Sequence, residues 1–256
     1  FVEEVLPFFK SHYSIGRSIL TLEKPDDVIS GGPDSIIKLC KDNDLKEFHL
    51  VEDSMSGFLQ AYVNSTENKI KLNFGLRINV CHDRSKKEES ALKETCKFII
   101  FAKNKFGYER LIKISTKASL EGFYYYPRAD YEMLKEFWDD KDLILCVPFY
   151  DSFLHRNTLM GYNCIPDISF TKPVFCIENN SLPFDSFILN RVNKYCKDEF
   201  EKVNTQSIYY ANKKDFKSYL TFRCIDKRTT LDKPNFDHMC SDEFCFEKWQ
   251  KNKTNA

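Results

Sequence analysis

At 256 residues the chain is long enough for one large domain with a well-buried core, or for two small ones. Apolar residues make up 42% and aromatic residues 15%, with 23 Phe and 13 Tyr, which excludes a disordered chain. Lys plus Arg and Asp plus Glu number 38 each, so no global field draws in nucleic acid and any contact with it needs a local patch.

Ten cysteines are spread almost evenly, several inside apolar runs such as Ile144-Leu145-Cys146-Val147, where a free thiol acts as a small hydrophobe. No CxxC pair occurs, so reduced, buried thiols of a cytoplasmic protein are expected. No apolar run reaches the ~18 residues that span a bilayer, and no membrane contact is expected. The chain begins at Phe1 without a Met, which fits a fragment, a processed product or the ordered part of a longer protein.

In chain order, Asp34-Ser35 opens a helix carrying Ile36, Ile37 and Cys40. Buried strands are expected at Phe48–Val51, Leu72–Val80, Phe98–Phe101, Leu143–Phe149, Val174–Ile177 and Ser207–Tyr210. Between them, Tyr108, Leu111, Ile112 and Ser115 share one helical face, as do Phe187, Ile188, Val192, Tyr195 and Cys196 in a helix expected over 185–202. Charged stretches at 83–89 and 139–142 read as solvated turns. This alternation predicts an α/β fold, a parallel sheet with helices outside it. Residues 211–256 are more polar and less periodic, and read as a C-terminal extension of a domain over 1–210.

The most specific signal is the stretch Lys97 to Leu134, KFIIFAKNKFGYERLIKISTKASLEGFYYYPRADYEML. A strand ending in Ala102-Lys103-Asn104, a helix with Gly107-Tyr108 and Leu111-Ile112-Lys113, and the run Leu120 through Arg128 stand in one order and spacing. Together they resemble the N-terminal PHP (polymerase and histidinol phosphatase) domain of bacterial DNA polymerase III α subunits. Ser11 to Ser14, Gly57 to Tyr62, Lys71 to Val80 and Thr205 to Tyr210 are weaker matches to its other strand regions. Cys224-Ile225 and Ser241 to Phe244 resemble the segment leading toward the polymerase palm. The resemblance implies a distorted seven-stranded β/α barrel and a setting in DNA replication.

It also implies a site of two or three metal ions held by His, Asp, Glu and Cys at the strand ends, where bound metal lowers the pKa of a bridging water. Carried over position by position, few such residues remain. The family's opening histidines fall on Leu6, Phe8 and Lys10. Its Asp-His falls on Val51-Glu52 or, with a gap, on Asp53-Ser54. A glutamate falls on Arg77, a histidine on Lys97, a Cys or His on Phe149, and the final Asp-x-His on Ser207 and Tyr209. Lys10, Arg77 and Lys97 would point cations into a pocket built for cations, where repulsion is about 4 kcal/mol per pair at ~4 Å and an effective dielectric near ~20. Glu52 or Asp53 could pair with them instead. No metal and no cofactor are therefore expected. Lys10, Arg77, Lys97 and Arg128 are candidate contacts for phosphate or DNA, with an inert, salt-bridged mouth as the alternative.

Other groupings are weaker. Cys81-His82 and His238-x-Cys240-x4-Cys245 hold zinc-ligand residue types at unsuitable spacings. His12, His49 and His155 are isolated, and Ser152 lacks a nucleophile-elbow context. The run Phe123 to Tyr126 alternates faces, so two of its aromatics are expected to be buried. The expected function is thus a non-catalytic PHP-like domain or subunit of a family C replicative polymerase. The polymerase core, a proofreading exonuclease and primer–template DNA are the implied partners. The alternatives are a divergent metal-dependent phosphoesterase or 3′–5′ exonuclease, and a viral or plasmid-encoded mimic that binds replication proteins.

Overall fold

In the computed structural model, which describes residues 4–231 and 241–254, the expected alternation of strands and helices closes on itself. The strands are β1 (Leu6–Phe9), β2 (Glu47–Glu52), β3 (Lys71–Cys81), β4 (Cys96–Ala102), β5 (Arg128–Asp130), β6 (Leu143–Val147), β7 (Val174–Ile177) and β8 (Lys202–Ile208). They hydrogen-bond in the order β2-β1-β8-β7-β6-β4-β3-β5, and β2 also pairs with β3. Seven strands therefore form a closed barrel, and β5 hangs on β3 outside the ring. Closure leaves the ring strands without free edges.

Neighbours in the ring are parallel except β4, which is antiparallel to both β3 and β6. That reversal matters for the site. The start of β4, where Lys97 sits opposite Asn79, comes to the same end of the barrel as the C-terminal ends of the other strands. We call this end the mouth.

Helices α1 (Ile36–Asp42), α2 (Phe58–Glu67), α3 (Glu89–Leu92), α4 (Lys105–Leu120), α5 (Tyr131–Phe137), α6 (Phe153–Leu159), α7 (Asp185–Cys196), α8 (Phe216–Lys227) and α9 (Phe246–Thr254) complete the fold. Several begin on side-chain caps that satisfy an otherwise open backbone N–H: Ser35 in α1, Asn104 in α4, Asp130 in α5 and Ser152 in α6. Outward-facing strand residues and helix stripes form the main core. Inside the barrel, Phe8, Val51, Ile99, Phe101, Cys146 and Cys176 make a second, smaller cluster. The nine described cysteines are all buried free thiols.

The structure departs from the sequence expectations at several points. The last strand is β8, Lys202–Ile208, rather than Ser207–Tyr210, because its first half is polar and carries buried Thr205 and Gln206 in place of an apolar run. The helix expected over 185–202 stops at Cys196, followed by Lys197 at φ +46°. In α4 the buried stripe is Gly107, Leu111, Ile114 and Ala118, while Ile112 is 41% exposed. The stretch 139–142 is more than a solvated turn, since Asp142 accepts bonds from Asn104 (3.0 Å) and Arg110 (2.9 Å). In keeping with a segment that packs on the barrel, Phe244, Phe246 and Trp249 near the C-terminus join the main core, and Trp249 Nε1 donates to Val5 O at 2.8 Å.

Candidate functional site

Side chains alternate along strands, so residues two apart on each barrel strand share the interior. At the mouth this brings Lys10 after β1, Asp53 after β2, Arg77 in β3, Glu178 after β7 and Ser207 in β8 close together. Lys10 Nζ donates to Asp53 Oδ1 at 3.1 Å, and Arg77 Nη1 lies 3.8 Å from the same oxygen. Arg77 Nη2 donates to Asp151 Oδ2 at 2.7 Å and to Tyr150 O at 3.3 Å. Arg156 Nη2 stands 3.7 Å from the other Asp151 oxygen. Two cations of the strand ends are thereby locked to two carboxylates.

Asp151 is held in the left-handed region at φ +63°, which turns the chain sharply at the end of β6. Its backbone N–H donates to His155 Nδ1 at 3.2 Å, so that nitrogen carries no proton. Burial lowers the His155 pKa further and keeps the ring neutral. Burial works against ionisation of Asp53 and Asp151 as well, yet the surrounding cations hold both carboxyls well below the ordinary range: Lys10, Lys97 and Arg77 around Asp53, and Arg77 and Arg156 around Asp151.

Glu52 does not follow Asp53 into this network. It accepts from Ser11 N (2.8 Å) and from Ser14 Oγ, and burial pushes its pKa up. Glu178 is likewise buried and raised, accepting from Ser207 Oγ (2.6 Å), Ser207 N (3.1 Å) and Asn180 Nδ2 (2.9 Å). Lys97 differs from the other two cations. Burial and the neighbouring Arg77, Arg17 and Arg156 depress its pKa to about 7, against an opposing pull from Asp53.

The mouth is split into two spaces. Lys10, Arg77, Glu178, Ser207 and Tyr209 surround an inner cavity of only ≈ 30 Å³, room for little more than water. Lys97 and Asp151 face a larger cleft of ≈ 330 Å³. Among the described residues, no three His, Cys, Asp or Glu side chains converge as a metal-ligand group.

The family model for the PHP domain matches residues 30–160, about half of the chain. The chain belongs to the PHP domain family. It is 30% identical over 159 residues to the DNA polymerase III subunit alpha of Thermus aquaticus, covering 57% of this chain and 12% of that protein. The same subunit of Helicobacter pylori is 35% identical over 83 residues, 32% of this chain and 7% of the relative. That of Aquifex aeolicus is 27% identical over 154 residues, 57% of this chain and 13% of the relative. The chain thus spans only a small part of the length of these relatives. A solved Bifidobacterium adolescentis structure described as a metal-dependent phosphoesterase aligns at TM-score 0.24 and 12% identity, over 46% of this chain and 36% of that one, too weakly to bear on the fold.

In this PHP domain the ten positions carried over from sequence are not all at the mouth. Lys10, Asp53, Arg77, Lys97, Ser207 and Tyr209 are, with Phe8 as the floor of the inner cavity, while Glu52 is buried against Ser11 and Ser14. Leu6 is not. It lines a groove at the opposite end with His49 and Trp249, since each strand residue advances ~3.3 Å and Leu6 is four positions before Lys10. Phe149 points outward into the main core, leaving its neighbours Pro148 and Tyr150 to face the cavity.

Arg128 corrects the expected phosphate contact. It is fully buried and donates to three backbone carbonyls, Gly122 O (3.0 Å), Arg84 O (3.1 Å) and Lys86 O (2.8 Å). Phe123 and Tyr125 are 52% and 75% exposed, and Tyr124 and Tyr126 are half-buried, so none of this aromatic run is fully buried as expected. The faces alternate as expected, but Tyr125 at φ +61° folds the run into a tight Tyr124–Tyr126 bridge that leaves its inner face only half-covered. The match segment is instead architectural at its glycines. A Cβ on Gly107 would fall 2.2 Å from Asp142 O, and one on Gly122 1.9 Å from Arg128 O.

Of the zinc-type residues, His238 and Cys240 lie outside the described residues. Cys81 and Cys245 each donate to a nearby backbone carbonyl, Ala129 O and Asp242 O. Nothing in the sequence pattern singles out Glu178, Arg17, Arg156 or Asp151 as site residues. The nearest to a signal is at Glu178, which lies in phase with Cys176 at the end of an apolar strand. The arginines had none, being scattered through loops and helices.

Proposed function

We propose that this chain is a non-catalytic PHP domain or subunit of a family C replicative polymerase, supporting DNA replication in the cytoplasm through protein and DNA contacts. The observation that carries the reading is the set of cations at the strand ends. Lys10 and Arg77 occupy positions where the family resemblance implies metal ligands, and they bind Asp53 and Asp151 directly. A divalent ion there would meet two fixed positive charges, with the nearest carboxylates already engaged. These residues do not fit a metal centre. The relatives, all DNA polymerase III α subunits, support the replicative setting.

The test is elemental analysis of the purified chain with a phosphodiester hydrolysis assay in added Mn²⁺ and Zn²⁺. Neither stoichiometric metal nor turnover is expected. Two bound metal ions together with turnover would overturn the reading in favour of a divergent phosphoesterase. Affinity capture of the full-length protein should recover the palm on the same polypeptide or a separate polymerase subunit. Recovery of a foreign replisome with no polymerase of its own would favour a mimic.

A further inference from the structure

The cleft beside the salt-bridged mouth has a composition the inner cavity lacks. Arg17, Lys97, Arg156, Arg223 and Lys227 line it against the single carboxylate of Asp151, and Tyr126, Tyr162, Asn79 and neutral His155 complete much of the wall. Its ≈ 330 Å³ lies at the lower end of the ~300–1,000 Å³ range of small-molecule sites. Asp151 is already shared between Arg77 and Arg156, and Asp53 nearby is taken up by Lys10 and Arg77.

Two of the cations are poised rather than consumed. The side chains of Arg17 and Lys97 are half-buried and have no hydrogen-bond or ion-pair partner among the described residues. Arg156 is fixed by a bond to Thr95 O at 2.7 Å and by the Tyr162 ring 5.4 Å away, yet its buried Nε has no partner among the described residues. Holding cations this close in a half-dry cleft costs free energy unless an anion enters. An arginine pair with a lysine matches a tetrahedral oxyanion, since guanidinium N–H groups pair with two oxygens at once. The tyrosines give an aromatic wall on which a base could stack.

We propose that this cleft binds the phosphate of a nucleotide, free or at the end of a strand, through Arg17, Lys97 and Arg156 in place of metal ions, with the base against Tyr126 or Tyr162. It deepens the non-catalytic reading, on which it rests only in expecting that the bound phosphate is not turned over.

The experiment is calorimetric titration of the full chain in EDTA with inorganic phosphate, dAMP, deoxyadenosine, and a short single-stranded oligonucleotide bearing either a 5′-phosphate or a 5′-hydroxyl. Binding of dAMP but not deoxyadenosine is expected, and Arg17→Ala and Lys97→Met should each weaken it about tenfold, the loss of one charge-assisted contact. Both variants remove side chains without hydrogen-bond partners, so thermal melts at or above the parent's should accompany the loss. Tighter binding of the phosphorylated oligonucleotide than of dAMP identifies a strand end, and the reverse identifies a free nucleotide. The proposal is overturned if dAMP and deoxyadenosine behave alike, or if neither variant changes the affinity. Metal-dependent hydrolysis seen alongside EDTA-resistant binding would remove the non-catalytic reading and leave the cleft assignment standing.

Discussion

Arg77 of β3 reaches across the barrel mouth to Asp151, 2.7 Å away, and makes the loop after β6 part of the strand-end network. The same guanidinium stands 3.8 Å from Asp53, which also receives Lys10. One side chain therefore joins three sectors of the barrel. Its own charge is reinforced: burial opposes it, but Asp151 and Asp53 raise its pKa above the ordinary arginine value.

Removing Arg77 should hurt stability more than removing a surface charge. Arg77→Met leaves Asp151 to Arg156 alone and takes a neighbour from Asp53, and breaking such a partly buried pair costs about 3 kcal/mol. The effect should depend on pH in a definite direction. Asp53 and Asp151 are depressed in the folded state, so they stabilise above the unfolded carboxylate value of ~3.9 and lose that contribution as pH falls below it. In Arg77→Met the acid limb of stability should shift to higher pH. Urea melts from acid to neutral pH would detect both changes, and a variant that tracks the parent throughout would show the network to be energetically idle.

Lys97 gives a slope of the same sign in a higher pH window, but there the fold disfavours the charged form. Its folded pKa is about 7 and its unfolded value ~10.4, so between these limits the unfolded chain binds a proton that the folded chain does not. Stability should therefore rise with pH from about 7 toward 10, by roughly 1–3 kcal/mol after allowance for solvent screening. Asp53 draws the proton on, while Arg77, Arg17 and Arg156 push it off. Lys97→Met should be more stable than the parent near neutral pH and should lose about one proton's worth of this slope. An unchanged slope in the variant would mean that another group titrates there, Lys10 being the first suspect because burial lowers it too.

The barrel was legible because most of its strands are apolar runs of the right length, and the helices carry clean caps at Ser35 and Asn104. β8 was misread for the converse reason, since Thr205 and Gln206 are buried in hydrogen bonds and leave no apolar signature. The cations at Lys10, Arg77 and Lys97 could be found only through the resemblance, which assigns positions that local sequence does not. The cleft could not be found either way. Its lining comes from the loop after β1, from β3 and β4, from the segment before β5, and from α6 and α8, spread from Arg17 to Lys227 along the chain and joined only by the closure of the barrel.

The last prediction concerns Arg128, which the sequence suggested as a contact for DNA. In the fold it is fully buried against the Tyr124 ring, 5.5 Å away, and supplies donors to the carbonyls of Gly122, Arg84 and Lys86. Lys86 and Arg84 belong to the loop after β3, so Arg128 ties that loop to the end of α4. Arg128→Leu would keep much of the apolar stem and leave carbonyls without donors, at ~1–3 kcal/mol for each one still buried. A loss of at least about 3 kcal/mol is expected. Arg128→Lys should recover only part of it, because a single ammonium cannot span the fork of the guanidinium. Gly122→Ala should act on the same joint, as its Cβ would meet Arg128 O at 1.9 Å. Phe123→Ala is the contrast: the ring is 52% exposed, and its removal should cost less than about 1 kcal/mol. Thermal and urea melts on the four variants test this ordering. If Phe123→Ala proves as damaging as Arg128→Leu, the aromatic run carries the packing and the carbonyl clamp does not. If Arg128→Leu melts like the parent but loses affinity for single-stranded DNA, the buried clamp is wrong and the phosphate role returns.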